Sequence, residues 1–278
     1  MGYLKEVVGA RELLANLALR EIRGKYKRTV LGQLWSLANP LALMLIYTVV
    51  FSLILRVQPG PGDPSGLNIF ALWLLAGLLP WLFFANSVSL AMGSLVDNQN
   101  LIQKVYFPRI VLPLSVIASI AYTWCLEMLV LIIALSIAGA VVWPWLPLVV
   151  VAMVLLALFA AGFALMLSVA NVYFRDTQYL MGLLFQLWFY ATPIIYPLSY
   201  VADLSVNTGG IAGTNITPLD LFRLNPMEGF VDIFRTMLYD NRAPEPISFL
   251  ICAAWAAAAL TIGLFVFQRR DARLAELL

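Results

Sequence analysis

The sequence predicts an all-α integral membrane protein with six transmembrane helices per subunit, and three observations carry that prediction. Six apolar runs, at 37–55, 69–95, 110–140, 145–172, 179–197 and 247–267, are long enough to cross a bilayer. A hydrocarbon core of roughly 30 Å needs about 20 residues of helix rising about 1.5 Å each. The chain is 62% hydrophobic and only 12% charged, against about 45–50% and about 25% in soluble domains, so lipid rather than water is its solvent. Thirteen of the seventeen Lys and Arg residues fall on the side of the two termini when the six runs are threaded back and forth. Positive charge accumulates in cytoplasmic segments, which predicts that both termini are cytoplasmic. Backbone polar groups inside lipid must be satisfied internally, and uninterrupted apolar runs are not the alternating pattern of barrel strands, so the spans are helices.

The expected organisation follows in chain order. Residues 1–35 form a cytoplasmic, basic, amphipathic interfacial segment, too charged for a signal peptide. Residues 36–268 form the six-helix transmembrane domain, and 269–278 a cytoplasmic tail. Within the domain, 57–66 (VQPGPGDPSG) is a tight outer turn. Residues 96–109 (VDNQNLIQKVYFPR) hold one or two helical turns on the inner side, ended by Pro108, too polar to insert yet too apolar for an idle loop. The segment 198–245 is the long outer excursion, with short outer-leaflet helices expected at 216–222 and 227–239 before the last span, the second opened by Asn225-Pro226. Cys125 and Cys252 fall inside spans and read as small buried apolar residues.

Composition also excludes functions. The net charge of +2 averages a basic inner side with an acidic outer loop and implies no nucleic-acid partner. The chain has no histidine and no cysteine pair at metal spacing, so neither a metal nor a catalytic role is expected. It has no G-x-x-x-x-G-K-[ST] phosphate loop, so it is not an enzyme that splits ATP by that route. Energy must come from a partner or a gradient. Internal repeats with broken mid-membrane helices would mark a gradient-driven secondary transporter, and no such repeat is visible. A secondary transporter or a lipid flippase working without an ATPase remains the alternative.

Several blocks in one order carry a resemblance: REIRGKYKRTVLGQLWSLANPL at 20–41, KVYFPRIVLPLS at 104–115, YFRDTQYL at 173–180, QLWFYATPIIYPLS at 186–199 and NPMEGFVDIFRTMLY at 225–239. Together they resemble the transmembrane subunits of ABC-2 type exporters, the permeases for O-antigen, teichoic acid and related lipid-linked polysaccharides. Four lysines against thirteen arginines point to a GC-rich source, with mycobacterial galactan exporters as near relatives. The resemblance implies a homodimer in the bacterial inner (plasma) membrane, working with two nucleotide-binding ATPase subunits. ATP and magnesium would sit on those partners, this chain would carry no cofactor, and the cargo would be a polyprenyl-diphosphate-linked polysaccharide.

Candidate residues fall into three groups. The resemblance makes 96–109 a coupling helix, with Leu101, Ile102, Val105, Tyr106 and Phe107 as apolar contacts to the ATPase, and Lys104 and Arg109 free for acidic partners; the alternative is an interfacial anchor. Tyr26 and Arg28 are candidates for a lipid diphosphate, since guanidinium forks match phosphate oxygens, and Gly32 lies in a flexible Leu-Gly turn matching the family. Tyr47, Phe51, Phe185, Trp188, Phe189 and Tyr190 are candidates to line a glycan path, where sugar C–H faces slide over aromatic planes, or else are an aromatic belt. Glu127 is the single carboxylate deep within a span and is either a polar lining position or a hydrogen-bonded structural bridge.

Overall fold

The computed structural model describes residues 9–25, 32, 34–54, 56, 60–208 and 217–277. All regular elements among them are helical: α1 (Arg11–Lys25), α2 (Leu34–Tyr47, continued as a π-helical stretch Thr48–Ile54), α3 (Phe70–Asp97), α4 (Gln99–Lys104), α5 (Val111–Ile137), α6 (Leu146–Tyr173), α7 (Thr177–Tyr190), α8 (Leu198–Thr208), α9 (Pro218–Arg223), α10 (Pro226–Arg235, continued as a π turn Thr236–Asp240) and α11 (Pro246–Leu277). Among the described residues, four helical stretches are long and apolar enough to cross a membrane: Phe70–Asp97, Val111–Ile137, Trp143–Tyr173 and Pro246–Asp271.

The other two expected spans are built differently. The first is α2 with its π-helical continuation. The fifth, expected over 179–197, stops as α7 at Tyr190 after 14 residues, about 21 Å of helix at about 1.5 Å per residue. Pro193 and Pro197 cannot continue it, and the Thr192 hydroxyl donates to the Trp188 carbonyl at 2.8 Å. Beyond the turn comes α8, a helix not expected from the sequence, while α9 and α10 overlap the stretches 216–222 and 227–239. Each carries its own start signal. Thr217 and Asp220 form a reciprocal capping box on α9, and the Asn225 side chain accepts from the Met227 amide at 3.0 Å with Pro226 in the first turn of α10.

At the centre lies α3, buried on most of its faces among α5, α6 and α10, as its all-round apolar sequence requires. Phe83 stacks on Trp124 of α5 at 4.1 Å, and Phe84 on Phe159 of α6 at 5.3 Å. Met227, Phe230, Ile233, Phe234 and Met237 of α10 and its π turn are fully buried in the same cluster, so this helix enters the bundle rather than resting on it. Arg235 pins it there. Its guanidinium donates to the carbonyls of Pro193 at 2.6 Å and Ile194 at 2.5 Å and lies 3.7 Å over the Trp73 ring. Gly77 makes room, since a Cβ there would meet Arg235 Nη2 at 2.8 Å.

Helices α6 and α11 pack at backbone contact. A Cβ on Gly162 would land on the Ala259 carbonyl group, and one on Gly263 would lie 2.9 Å from Gly162 Cα. Small residues at both sides of a crossing are how apolar helices approach closely where lipid tails compete with any larger side chain. A second, smaller cluster joins Leu17 of α1, Leu95, Ile102, Ile110, Leu165, Phe267 and Leu274. Both described ends of the chain meet there, so this is the terminal face of the bundle, and α1 lies against α5 rather than apart from the bundle. Of the two cysteines, Cys252 is buried as expected, but Cys125 is exposed on the outside of α5.

Candidate coupling surface and aromatic groove

On the terminal face, Asn98 interrupts the helix between α3 and α4, its side chain donating to the Ser94 carbonyl at 2.8 Å and accepting from Arg20 of α1 at 3.0 Å. The helix α4 is therefore held at both α3 and α1. Ile102 points inward and is buried in the terminal cluster, with Leu101 and Phe107 packed against it. Val105 and Tyr106 point outward, 53% and 92% exposed, beside exposed Lys104. The expected coupling residues thus divide into anchors and a projecting pair, lining a shallow concavity of about 190 Å³. Arg109 differs from expectation. Its guanidinium bonds the Asp271 carbonyl at 2.8 Å and carboxylate at 3.1 Å, so it is engaged by α11 within the chain rather than free for an acidic partner.

Most of the aromatic candidates converge on one groove of about 310 Å³ between α2, α3 and α7, lined by Tyr47, Trp81, Phe185, Gln186, Phe189 and Tyr190. Tyr47 lies 6.3 Å from Phe189 and 6.2 Å from Phe51, and Trp81 lies 5.8 Å from Phe189. Trp188 turns away from the groove, edge-on to Phe84 at 5.2 Å, and its indole N–H donates to Asn225 Oδ1 at 2.7 Å. It ties α7 to the start of α10. Trp81 and Gln186 were missed in the sequence, Trp81 because it opens a WLFF run in the most apolar of contexts. Glu127 on α5 does not line this groove; the charge its field reaches is Lys25 at the end of α1. Gly32 has φ +52, a left-handed backbone with open space around it, while Tyr26 and Arg28 lie outside the described residues.

Comparison with known proteins places the chain in a family. The family model described as ABC-2 type transporter matches residues 12–204. This chain belongs to the ABC-2 type transporter family. Among relatives of the family, the chain is 30% identical over 274 residues to the O-antigen export system permease protein RfbA of Myxococcus xanthus, covering 98% of each chain. It is 32% identical over 196 residues to the protein of the same name from Klebsiella pneumoniae, covering 69% of this chain and 71% of the relative. It is 26% identical over 265 residues to the polysialic acid transport protein KpsM of Escherichia coli, covering 92% of each. The family match spans α1 to α8, and the first of these alignments extends it through α10 and α11.

Opposite the terminal face, α10 carries an ionisable group under strain. The Glu228 carboxyl is pushed up to about 7, first by burial and then by Asp232 one turn on, against the pull of Arg223 and Arg235. A carboxyl whose folded pKa lies above its unfolded value keeps a proton that the unfolded chain releases. Its contribution is favourable at acid pH and is lost as pH rises from about 4.5 to about 7, by up to about 3 kcal/mol. The purified protein is expected to melt at higher temperature near pH 5 than near pH 8, and Glu228→Gln to flatten that dependence. An unchanged pH profile in Glu228→Gln would assign the effect elsewhere.

Proposed function

We propose that this chain is the membrane permease of an ATP-driven exporter that moves a polyprenyl-diphosphate-linked polysaccharide outward across the bacterial inner membrane. The observation that carries the reading is similarity along the whole chain to an O-antigen export permease, in a fold that presents an aromatic groove beside the 14-residue α7. Two copies, each crossing six times with both termini cytoplasmic, would enclose the path, and two ATPase subunits would bind the terminal face. Tyr106 and Val105 project where such a subunit would dock, and Ile102, Phe107 and Arg109 connect that projection to α1, α5 and α11. The groove supports passage of sugars because stacking on Tyr47, Trp81 and Phe189 is tolerant of ring identity and leaves hydroxyls free. Tyr26, Arg28 and Gly32 remain candidates to receive the diphosphate at the inner leaflet.

The test is reconstitution. The chain is expected to co-purify with a separate ATPase in mild detergent, and proteoliposomes holding both are expected to move lipid-linked glycan only with ATP. Uphill transport by the chain alone on an ion gradient would overturn the proposal. Within that assay, Phe189→Ala combined with Tyr47→Ala is expected to slow transport about tenfold, the worth of roughly one lost stacking contact, while ATPase assembly is unchanged. An unchanged transport rate would remove the groove from the path.

A further inference from the structure

A second cavity, of about 490 Å³, opens on the face opposite the termini, between the start of α8, α9, α10 and the start of α11. Its volume is in the range of small-molecule sites. Five charged side chains line it: Arg223, Glu228, Asp232, Arg242 and Glu245. Among the described residues the only ion pairs within 4.0 Å are Arg20–Glu21 and Arg109–Asp271, so these five charges surround one space without closing on each other. Glu228 is the sharpest case. The residue is only 9% exposed, and its carboxyl makes no hydrogen bond or ion pair among the described residues and opens onto the cavity instead.

The chemistry of the lining narrows what completes it. Among the described residues no three acidic groups come together in a way that could hold a metal ion. Three carboxylates facing two guanidiniums disfavour a phosphate. Carboxylates that accept, guanidiniums that donate, the Ser248 and Thr236 hydroxyls that do both, and apolar walls from Leu198, Pro244 and Ile251 suit a ring bearing many hydroxyls and apolar C–H faces. The position agrees. Asn225, three residues before Glu228, accepts from the Trp188 indole, so one turn of α10 has the aromatic helix on one side and the cavity on the other.

We propose that this cavity is a binding subsite for a neutral, hydroxyl-rich saccharide unit, with Glu228 and Asp232 accepting its hydroxyls and Arg223 and Arg242 donating to its oxygens. The inference rests on the exporter reading above, and gives that exporter a holding point for the glycan on the side where it emerges.

The test uses the full chain, with its ATPase where that co-purifies, in lipid nanodiscs. Short neutral oligosaccharides of glucose, galactose, mannose and rhamnose are titrated and followed by saturation-transfer NMR, with inorganic phosphate and calcium chloride as competitors. The expected result is saturable binding of at least one oligosaccharide, weakened at least about tenfold in both Glu228→Gln and Asp232→Asn, with no displacement by phosphate or calcium. Absence of saturable binding by all four, binding that these variants leave unchanged, or displacement by phosphate or calcium would overturn it. Thermal melting of each variant confirms that the fold is kept, and Arg242→Gln at the exposed rim supplies an independent variant expected to weaken binding in the same direction. ATP-dependent export by the unmodified chain is measured in parallel. Export without saccharide binding leaves the exporter reading standing and removes the subsite alone.

Discussion

Gly162→Leu is expected to separate α11 from α6 and to unfold the purified protein at a markedly lower temperature. The reason is geometric. Even the first carbon of a side chain at this position falls on the backbone of Ala259, and backbone cannot swing aside as the end of a flexible side chain can. Gly263 faces Gly162 from the other helix, 2.9 Å from its Cα once a Cβ is added, so neither helix has slack to yield. Overpacking a tight contact typically costs about 1–3 kcal/mol, and a leucine driven into backbone belongs at or above the top of that range. The helix α11 supplies Phe267 and Leu274 to the terminal cluster and Cys252, Ala256 and Ala259 to the main one, so its displacement opens both. Thermal melting in detergent and protease sensitivity of the C-terminal helix read the effect. A melting temperature within about 2 °C of the unmodified protein would show that the close crossing is absent.

Val105→Asp with Tyr106→Asp is expected to abolish ATP-driven export while leaving melting unchanged. Both side chains are exposed, Tyr106 almost completely, so their removal takes little from the fold, and surface changes away from packed sites usually stay within about 0.5 kcal/mol. Projecting apolar and aromatic residues on a fixed short helix are the kind that dominate protein interfaces, where loss of one central contact costs about 2 kcal/mol or more, a factor of roughly 30 in affinity. A carboxylate in place of Tyr106 adds desolvation on top of that loss. Ile102→Asp is the contrasting variant, expected to destabilise the terminal cluster itself because Ile102 is 8% exposed. Export retained in the double variant would show that the ATPase stroke enters elsewhere.

Long apolar runs were legible in the sequence because their signal is additive: most residues of α3, α5, α6 and the first two-thirds of α11 favour the same solvent. The short elements with start signals were legible for a local reason, since Asn225-Pro226 is readable without knowing what α10 touches. What escaped depends on contacts distant in sequence. Pro193 and Pro197 are local signals that the run from Tyr179 breaks, but the shape of the turn beyond Tyr190 was not readable, because it is held by Arg235, over forty residues later, bonding Pro193 and Ile194. Arg109 looked free because its partner Asp271 lies 162 positions away. The aromatic group was readable as a set, but which members face the groove is decided by the rotation of α7 against α3. That rotation exchanges Trp188, drawn to Asn225, for Trp81.

The engagement of Arg109 by Asp271 has a mechanical consequence. From Pro246 to Leu277 the last helix runs 32 residues without interruption, a rod of about 48 Å at about 1.5 Å per residue. Its lower part is bolted at Asp271 to the segment that bears Tyr106, and its upper part contributes Ser248 and Ile251 to the charged chamber on the opposite side. Across the roughly 35 Å between Asp271 and Ser248, a tilt of only ~5° would carry the upper end sideways by about 3 Å, the length of a hydrogen bond. If the exporter reading holds, the helix is a lever whose two arms reach the proposed entry point of force and the proposed grip on cargo.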